Sequence, residues 1–396
     1  SPSVKTYDRD DLRSRKADQL TDVLSPLNTI PETPCHVNPF VYRVAKKLWE
    51  ANGHKAGLPP RSIPDAVPPR APEGSTPEQI KERNKAARAI YIETAQHRSR
   101  AWRVERSLHL AGDVAHCEAI WFPYQLDFRG RLYPMVPVLS PQGTDLEKGL
   151  LHFSEGKPLG TEEAACWLAI HGANSYGKDK LPLQERIDWV QQNEAHIRAA
   201  GESVSDAAAD GSVDFWGAAD KPFQFLAFCA EWAEYLKHCE AGKDAGEFVS
   251  RLPVSLDGTC NGLQHLSAMT RDEVGGAFVN LVNHDKPADI YARVAERVVD
   301  RLHEKAAIGE PWAKGWLDFG ICRKMTKRVV MVVPYGGTMK STRDYVRQAV
   351  NDLTSSVRPC PFERGRALLD ASTQLSNVVW EALADVLVGA RRTMRW

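Results

Sequence analysis

Apolar residues recur at helical spacing through most of this chain. The spacing predicts helices over Val41–Trp49, Glu162–His171, Leu183–Arg198 and Phe223–His238, with a polar, small-residue loop from Gly201 to Gly211. Further on, Pro287–Lys305 carries Ile290, Val294, Val298 and Val299 on one face, and Val378–Met394 reads as another helical run. Gly57–Pro72 is dense in proline and predicts an extended connection. Ser75-Thr76-Pro77-Glu78 is a helix-start signal, and the charged pattern behind it reads as two Arg- and Lys-rich helices between Pro77 and Ala115. Those helices suit a solvated surface pair or an arm along a phosphate backbone, and the pattern leaves both open.

Strand patterning is sparse. Leu252, Val254 and Leu256 alternate as a strand entering a core, and Val274–Val282 reads as a second strand. The first would set Asp257 at its end, followed by Gly258-Thr-Cys-Asn-Gly262 and an apolar helical pattern. A carboxylate held there beside open backbone suits a hard cation and a phosphate-bearing substrate; a turn aspartate capping the next helix fits the same residues.

Two other segments concentrate chemistry. Apolar stretches between Ala119 and Pro134 enclose Asp127, Arg129, Gly130 and Arg131, which suits either a phosphate fork or a surface turn with a local ion pair. Arg323, Lys327, Met331 and Tyr335 are spaced by four and form one helical stripe. Two cations followed by Met and a phenol could meet a triphosphate and then a base and sugar, or Met and Tyr could face the core beneath snorkelling cations. Pro334 predicts that the helix kinks or ends there, with Gly336-Gly337 completing the stop. Among loop cations, Lys157, Lys178 and Lys180 read as solvated.

Composition narrows the class only a little. The 396 residues are 43% hydrophobic, enough for a large core, and 51 basic residues balance 51 acidic ones, so any attraction for nucleic acid must be local. Eight cysteines without a Cys-x-x-Cys pair indicate neither a zinc site nor a disulfide framework, and they read as buried thiols of a reducing compartment. No signal peptide, membrane-spanning run or lipidation motif is legible, which points to a cytoplasmic protein without a membrane partner. Both ends, Ser1 and the helix-like run to Trp396, read as cut.

Taken together, the segments resemble the single-subunit, bacteriophage-type DNA-directed RNA polymerases. Pro253-x-x-x-Asp257-Gly-Thr-Cys-Asn-Gly-Leu-Gln264 resembles that family's first palm signature, Arg323-x-x-x-Lys327-x-x-x-Met331-x-x-x-Tyr335-Gly336 its fingers-helix signature, and Asp127-Phe-Arg-Gly-Arg131 its Asp-x-x-Gly-Arg element. His171-Gly-Ala-Asn174, Phe225-Leu-Ala-Phe228 and Arg271-Asp-Glu-Val-Gly-Gly276 fit as well, and the resemblance runs from about Asn28 to the end.

The fold this implies is α+β and mostly helical, a right-hand polymerase with palm and fingers, a remnant thumb and an incomplete C-terminal part. Residues 1–74 would be an N-terminal remnant and proline-rich connection, 75–118 a thumb-like arm, 119–285 the palm with a helical insertion, and 286–396 truncated fingers. The implied activity is template-directed RNA synthesis by a monomer, with a double-stranded DNA template, nascent RNA and NTPs as partners. Asp257, helped by the Gly258 carbonyl, would hold metal, and two Mg²⁺ ions would activate the RNA 3′-hydroxyl and stabilise the leaving pyrophosphate. Arg323 and Lys327 would grip the triphosphate, with Lys180 a further phosphate contact. Met331 would line the nucleotide, and Tyr335 would select ribose with Gly262 leaving room for its 2′-hydroxyl. Asp127, Arg129, Gly130 and Arg131 would hold template and hybrid by the backbone.

Val332 and Pro334 depart from the family pattern in the last turn of the fingers helix. The family's second metal-binding Asp, in a His-Asp turn, has no match after Tyr335, and His284-Asp285 reads as a helix start instead. Alternatives are a non-catalytic nucleic-acid or NTP-binding fragment, or a related DNA polymerase.

Overall fold

The computed structural model describes residues 21–62, 70, 72, 74–127, 130–256, 258–283, 287–356, 359–363, 365–389 and 393. Asp257, Arg129 and the His284-Asp285 pair therefore lie outside the described residues. The chain divides into two units, Ser1–Ser255 and Leu256–Trp396. The fold is mostly helical, with three two-stranded antiparallel ladders among the described residues, so the α+β class holds.

In the first unit, α1 (Thr21–Thr29) and the strand β1 (Cys35–Val37) precede α2 (Pro39–Glu50), which starts where the Asn38 side chain accepts from the amides of Phe40 and Val41. Next comes α3 (Pro77–Val114), a single 38-residue helix rather than the expected two. Its start is the one the sequence signalled, with Thr76 and Gln79 forming a reciprocal capping box. It runs unbroken because no glycine or proline interrupts the residues between Glu78 and Ala111. The strands β2 (Tyr124–Leu126) and β3 (Leu132–Pro134) form a hairpin with Leu126 opposite Leu132.

The short helix α4 (Asp145–Gly149) leads into β4 (Leu151–Phe153), which pairs with β1 so that His36 lies opposite His152. Beyond β5 (Lys157–Pro158) the chain is helical: α5 (Glu162–Tyr176), α6 (Leu183–Gln192), α7 (Glu194–Glu202), α8 (Val204–Ala207), α9 (Asp210–Trp216) and α10 (Pro222–Glu240). The expected Leu183–Arg198 helix is thus two, broken at Asn193, whose side-chain amide donates to the Trp189 carbonyl. The expected Gly201–Gly211 loop contains α8, capped by the Ser203 side chain, and the start of α9. The core gathers Trp216, Phe223, Phe225 and Phe228, and the Trp216 indole donates to the Ala207 carbonyl at 2.8 Å.

Two carboxylates of α4 organise this core. Asp145 accepts from the amides of Phe223 (2.8 Å) and Gln224 (3.2 Å), and so supplies the cap that Lys221 cannot give α10. Glu147 has no exposed surface; it accepts from Arg103 at 2.8 and 3.0 Å and from the Ser107 hydroxyl at 3.1 Å, joining α4 to α3.

The strand β6 (Val249–Ser250) pairs with β5, but the expected strand through Leu252, Val254 and Leu256 does not form. Leu252 is buried, whereas Val254 and Leu256, which would share its face in a strand, are exposed, so no common apolar face is buried.

The second unit holds α11 (Asn261–Thr270), α12 (Glu273–Phe278), α13 (Ile290–Ala307), α14 (Pro311–Phe319), α15 (Arg323–Val332), α16 (Met339–Ser356) and α17 (Arg366–Val386). The expected Val274–Val282 strand is α12 and its exit turn, because Asp272 accepts from the Gly275 amide and starts a helix instead. The expected Val378–Met394 helix falls within and beyond α17, which begins earlier and has its C-cap at Leu387. Its core gathers Val298, Leu302, Trp316, Val330 and Leu375, with the Trp316 indole donating to the Ala371 carbonyl at 3.0 Å.

All eight cysteines are free thiols, but only Cys229 is buried, against the expectation of eight buried ones. No helix among the described residues is long and apolar enough to cross a membrane.

Replacing Glu147 with Ala removes the partner of Arg103 and the reciprocal half of the Thr144 capping box. Urea unfolding of that variant should show a loss of about 2–3 kcal/mol, below the range for a fully buried pair because Arg103 keeps some hydration. Acid should also weaken the fold. Burial pushes His152 and His171 down to about 4, with His36 and Arg251 adding to the first and Lys221 to the second. In the unfolded chain these rings titrate near 6.5, so it binds more protons below that pH. Their contribution is complete above about pH 6.5 and is lost as pH falls towards about 4. The urea midpoint should fall between about pH 7 and about pH 5, and His171→Asn should make that fall smaller.

Candidate functional site

The turn after Asp257 is shaped by polar contacts from three places in the second unit. Cys260, in the left-handed region at φ 58°, ends the turn and begins α11. Asn261 accepts from the Gly262 amide at 2.8 Å, and Gln264 donates to the Val279 carbonyl at 2.8 Å. Asn280 clamps Ala288 on both sides, accepting from its amide at 2.7 Å and donating to its carbonyl at 2.9 Å, and reaches Thr259 at 3.4 Å. Gly258 is exposed next to this frame.

The charged helix α15 buries Met325, Thr326, Val329 and Val330 and turns its other face outward. Arg323 is half-buried, Lys327 is exposed, and Met331 and Tyr335 keep 47% and 65% of their surface. The stripe is therefore the exposed face, and Met331 and Tyr335 do not face the core. As the sequence implied, Pro334 ends the α-helix: Val333–Tyr335 is a single 3₁₀ turn, closed by Gly336 at φ 78°.

The two segments meet at Gly262. A Cβ at that position would lie 3.3 Å from Pro334 side-chain carbons and 3.3 Å from the Tyr335 hydroxyl oxygen, so a side chain there would crowd this approach. They meet again through α13. The Asp289 carboxylate accepts from Arg323 Nε at 2.6 Å, and the guanidinium lies 4.8 Å from the centre of the Tyr291 ring. The Tyr291 hydroxyl accepts from the Cys260 thiol at 2.8 Å, while the Tyr291 carbonyl accepts from Thr326 at 2.8 Å. Burial raises both Cys260 and Tyr291, and the contact with Cys260 pushes the phenol further above its usual range. Both stay neutral near pH 7 and act as structure, not as nucleophiles.

A family model described as DNA-dependent RNA polymerase matches residues 157–396, more than half of the chain. The DNA-directed RNA polymerase of Enterobacteria phage K11 is 34% identical over 423 residues, covering 99% of this chain and 44% of its own length. T7 RNA polymerase of Escherichia phage T7 is 32% identical over 429 residues, covering 99% and 46% respectively. This chain belongs to the DNA-dependent RNA polymerase family. It is of the single-subunit phage type, which extends to the mitochondrial DNA-directed RNA polymerase 1 of Arabidopsis thaliana, 34% identical over 96% of this chain. The chain spans less than half the length of these relatives.

The remaining residues expected of such an RNA polymerase lie in the first unit. Asp127 and Arg131 close the β2–β3 hairpin: the Asp127 carboxylate accepts from the Arg131 amide at 3.0 Å, and Gly130 turns the chain at φ 75°. Arg131 and Gly130 are exposed. Lys180 is exposed and pairs with Asp179 at 2.7 Å. Among the described residues no three His, Cys, Asp or Glu side chains gather as a metal cluster.

Asp289 and Tyr291 are the residues around Arg323 and Cys260 that sequence reasoning missed. Asp289 before Ile290-Tyr291 is a helix N-cap pattern, and its side chain does accept from the Tyr291 and Ala292 amides. That signal was available locally. Its bond to Arg323, 34 residues away, had no signal of any kind.

Proposed function

We propose that this chain carries the nucleotide-gripping face and the first metal-binding carboxylate of a template-directed RNA polymerase that transfers nucleotides from NTPs. The observation that supports this most is the close approach of Gly262 to Pro334 and Tyr335, which brings the last residue of the Asp257-Gly-Thr-Cys-Asn-Gly262 motif against the end of the Arg323–Tyr335 stripe. In this reading residues 75–118 are a thumb-like arm, 119–285 palm and 286–396 fingers, in a right-hand polymerase.

Each residue has a part that its environment suits. Lys327, exposed and without an ion-pair partner among the described residues, is placed to meet triphosphate oxygens together with Arg323. Met331 offers an apolar surface to the base. The Tyr335 hydroxyl can bond at the sugar, and the missing side chain at Gly262 lets that hydroxyl stand close beside α11, where a 2′-hydroxyl would meet it. Arg129 and Arg131 hold template and hybrid by phosphates, and Lys180 adds a phosphate contact; such contacts position without reading sequence.

The implied cation is Mg²⁺. The donors offered, the Asp257 carboxylate and the Gly258 carbonyl, are hard oxygens and fit that ion in kind. The sequence after Tyr335 offers no His-Asp turn for a second carboxylate, so in number they are part of a set. Bound there, Mg²⁺ supplies activation of the attacking hydroxyl and stabilisation of the leaving pyrophosphate. The partners are double-stranded DNA, nascent RNA and NTPs, and the working form is a monomer.

A second reading follows from the single carboxylate. The 396-residue chain by itself binds nucleotide and nucleic acid, with affinity falling as salt rises, but turns nothing over.

The gene product that contains this chain should make RNA from ribonucleotides on a DNA template with Mg²⁺. Asp257→Ala should lower the rate by roughly three orders of magnitude, and full synthesis by that variant would remove Asp257 from its role. In the same assay Tyr335→Phe should keep synthesis while reducing the preference for ribo- over deoxynucleotides about tenfold. An unchanged preference would take sugar selection away from Tyr335. Equilibrium dialysis of the 396-residue chain against ATP and Mg²⁺ should show binding, and its absence would overturn the phosphate role of the α15 face.

A further inference from the structure

Arg323 is held from two directions by neighbouring positions of one helix start. In the plane of the guanidinium, Asp289 Oδ2 accepts from Nε at 2.6 Å. The guanidinium Cζ lies over the Tyr291 ring, 4.8 Å from the ring centre. Both terminal Nη nitrogens remain without a partner among the described residues. Tyr291 is itself fixed at both ends, its hydroxyl by the Cys260 thiol and its carbonyl by the Thr326 hydroxyl.

We propose that Asp289 is a positioning residue for nucleotide binding: it orders the Arg323 side chain through Nε so that the two Nη groups are left for phosphate oxygens. This inference rests on the reading of Arg323 as a triphosphate contact. A long arginine side chain loses much rotamer freedom when it binds a ligand, and ordering it beforehand removes that cost from the binding step. A fork of two parallel donors also fits a phosphate only when its plane is fixed. Lys327, one turn later on the same exposed face, lacks such a holder among the described residues and acts as a mobile point charge beside the fixed fork.

The carboxylate divides its two oxygens between separate tasks. Oδ1 accepts from the Tyr291 amide at 3.0 Å and the Ala292 amide at 3.3 Å, and so starts α13. Oδ2 holds Arg323. A residue that only capped the helix would have no effect through Arg323, and this separates the proposal from the simpler role.

The experiment is a double-mutant cycle on the 396-residue chain, read by equilibrium dialysis against ATP with Mg²⁺. Asp289→Asn keeps the cap, since asparagine caps helices as well as aspartate, and loses the charged bond to Arg323. It should weaken ATP binding roughly fivefold, with its thermal unfolding midpoint close to that of the parent. In the Arg323→Ala background the same change should produce no further loss, because Asp289 acts through Arg323. Asp289→Ser, another capping residue, should behave as Asp289→Asn does and covers the case in which that variant folds poorly.

Equal losses in both backgrounds would assign Asp289 to helix capping alone and overturn the proposal. Unchanged or tighter ATP binding by Asp289→Asn would do so as well, since the carboxylate would then be competing with phosphate. If Arg323→Ala alone binds ATP as the parent does, it is the phosphate role of Arg323 that falls, and the proposal with it.

Discussion

Glu147 has no contact with solvent, and a carboxylate in that position has to find its partners inside the fold. It takes two nitrogens of Arg103, the Ser107 hydroxyl and the Thr144 amide, and so ties α3, α4 and the loop before α4 together. Gly143 belongs to the same constraint, because a Cβ there would fall 1.6 Å from a Glu147 oxygen. Two residues earlier Asp145 caps α10, whose Phe223, Phe225 and Phe228 fill the centre of the first core. One short helix thus fixes the direction of the two long ones that contact it. Apolar burial supplies most of the stabilisation, while these carboxylates decide which packing is adopted.

The second unit uses one carboxylate and several neutral groups. Its exposed face carries two cations whose mutual repulsion would favour splayed side chains, and Asp289 and Tyr291 limit that freedom for Arg323. The turn before α11 is held by Asn280, Gln264 and the Cys260 thiol, none of which is charged near neutral pH.

Much of this was legible in the sequence where the cause is local. Thr76 with Gln79, and Pro334 followed by Gly336, mark the start of α3 and the end of α15 because caps and proline act on adjacent backbone. The Arg323–Tyr335 stripe was legible by spacing, but which way Met331 and Tyr335 face was not. Failures came where a pattern needs a distant partner to mean anything. Val254 and Leu256 alternate as a strand would, yet no second strand covers them; Val274–Val282 has strand composition, but the Asp272 cap acts first. Tyr291 reads as one more apolar residue of an amphipathic helix. Only the fold brings Cys260, Thr326 and Arg323 around it.

The unbroken course of α3 has a mechanical side. Its last third is clamped by Arg103, Ser107 and the Trp49–Glu105 hydrogen bond, whereas from Pro77 to Arg100 its side chains are mostly exposed, Ala87 and His97 being buried exceptions. This mostly exposed portion is about 36 Å long. Tilting it by about 5° at its clamped end sweeps the far end through about 3 Å, roughly the reach of one hydrogen bond. A small change of angle at Glu147 is therefore magnified towards Pro77, with no hinge needed in the helix itself.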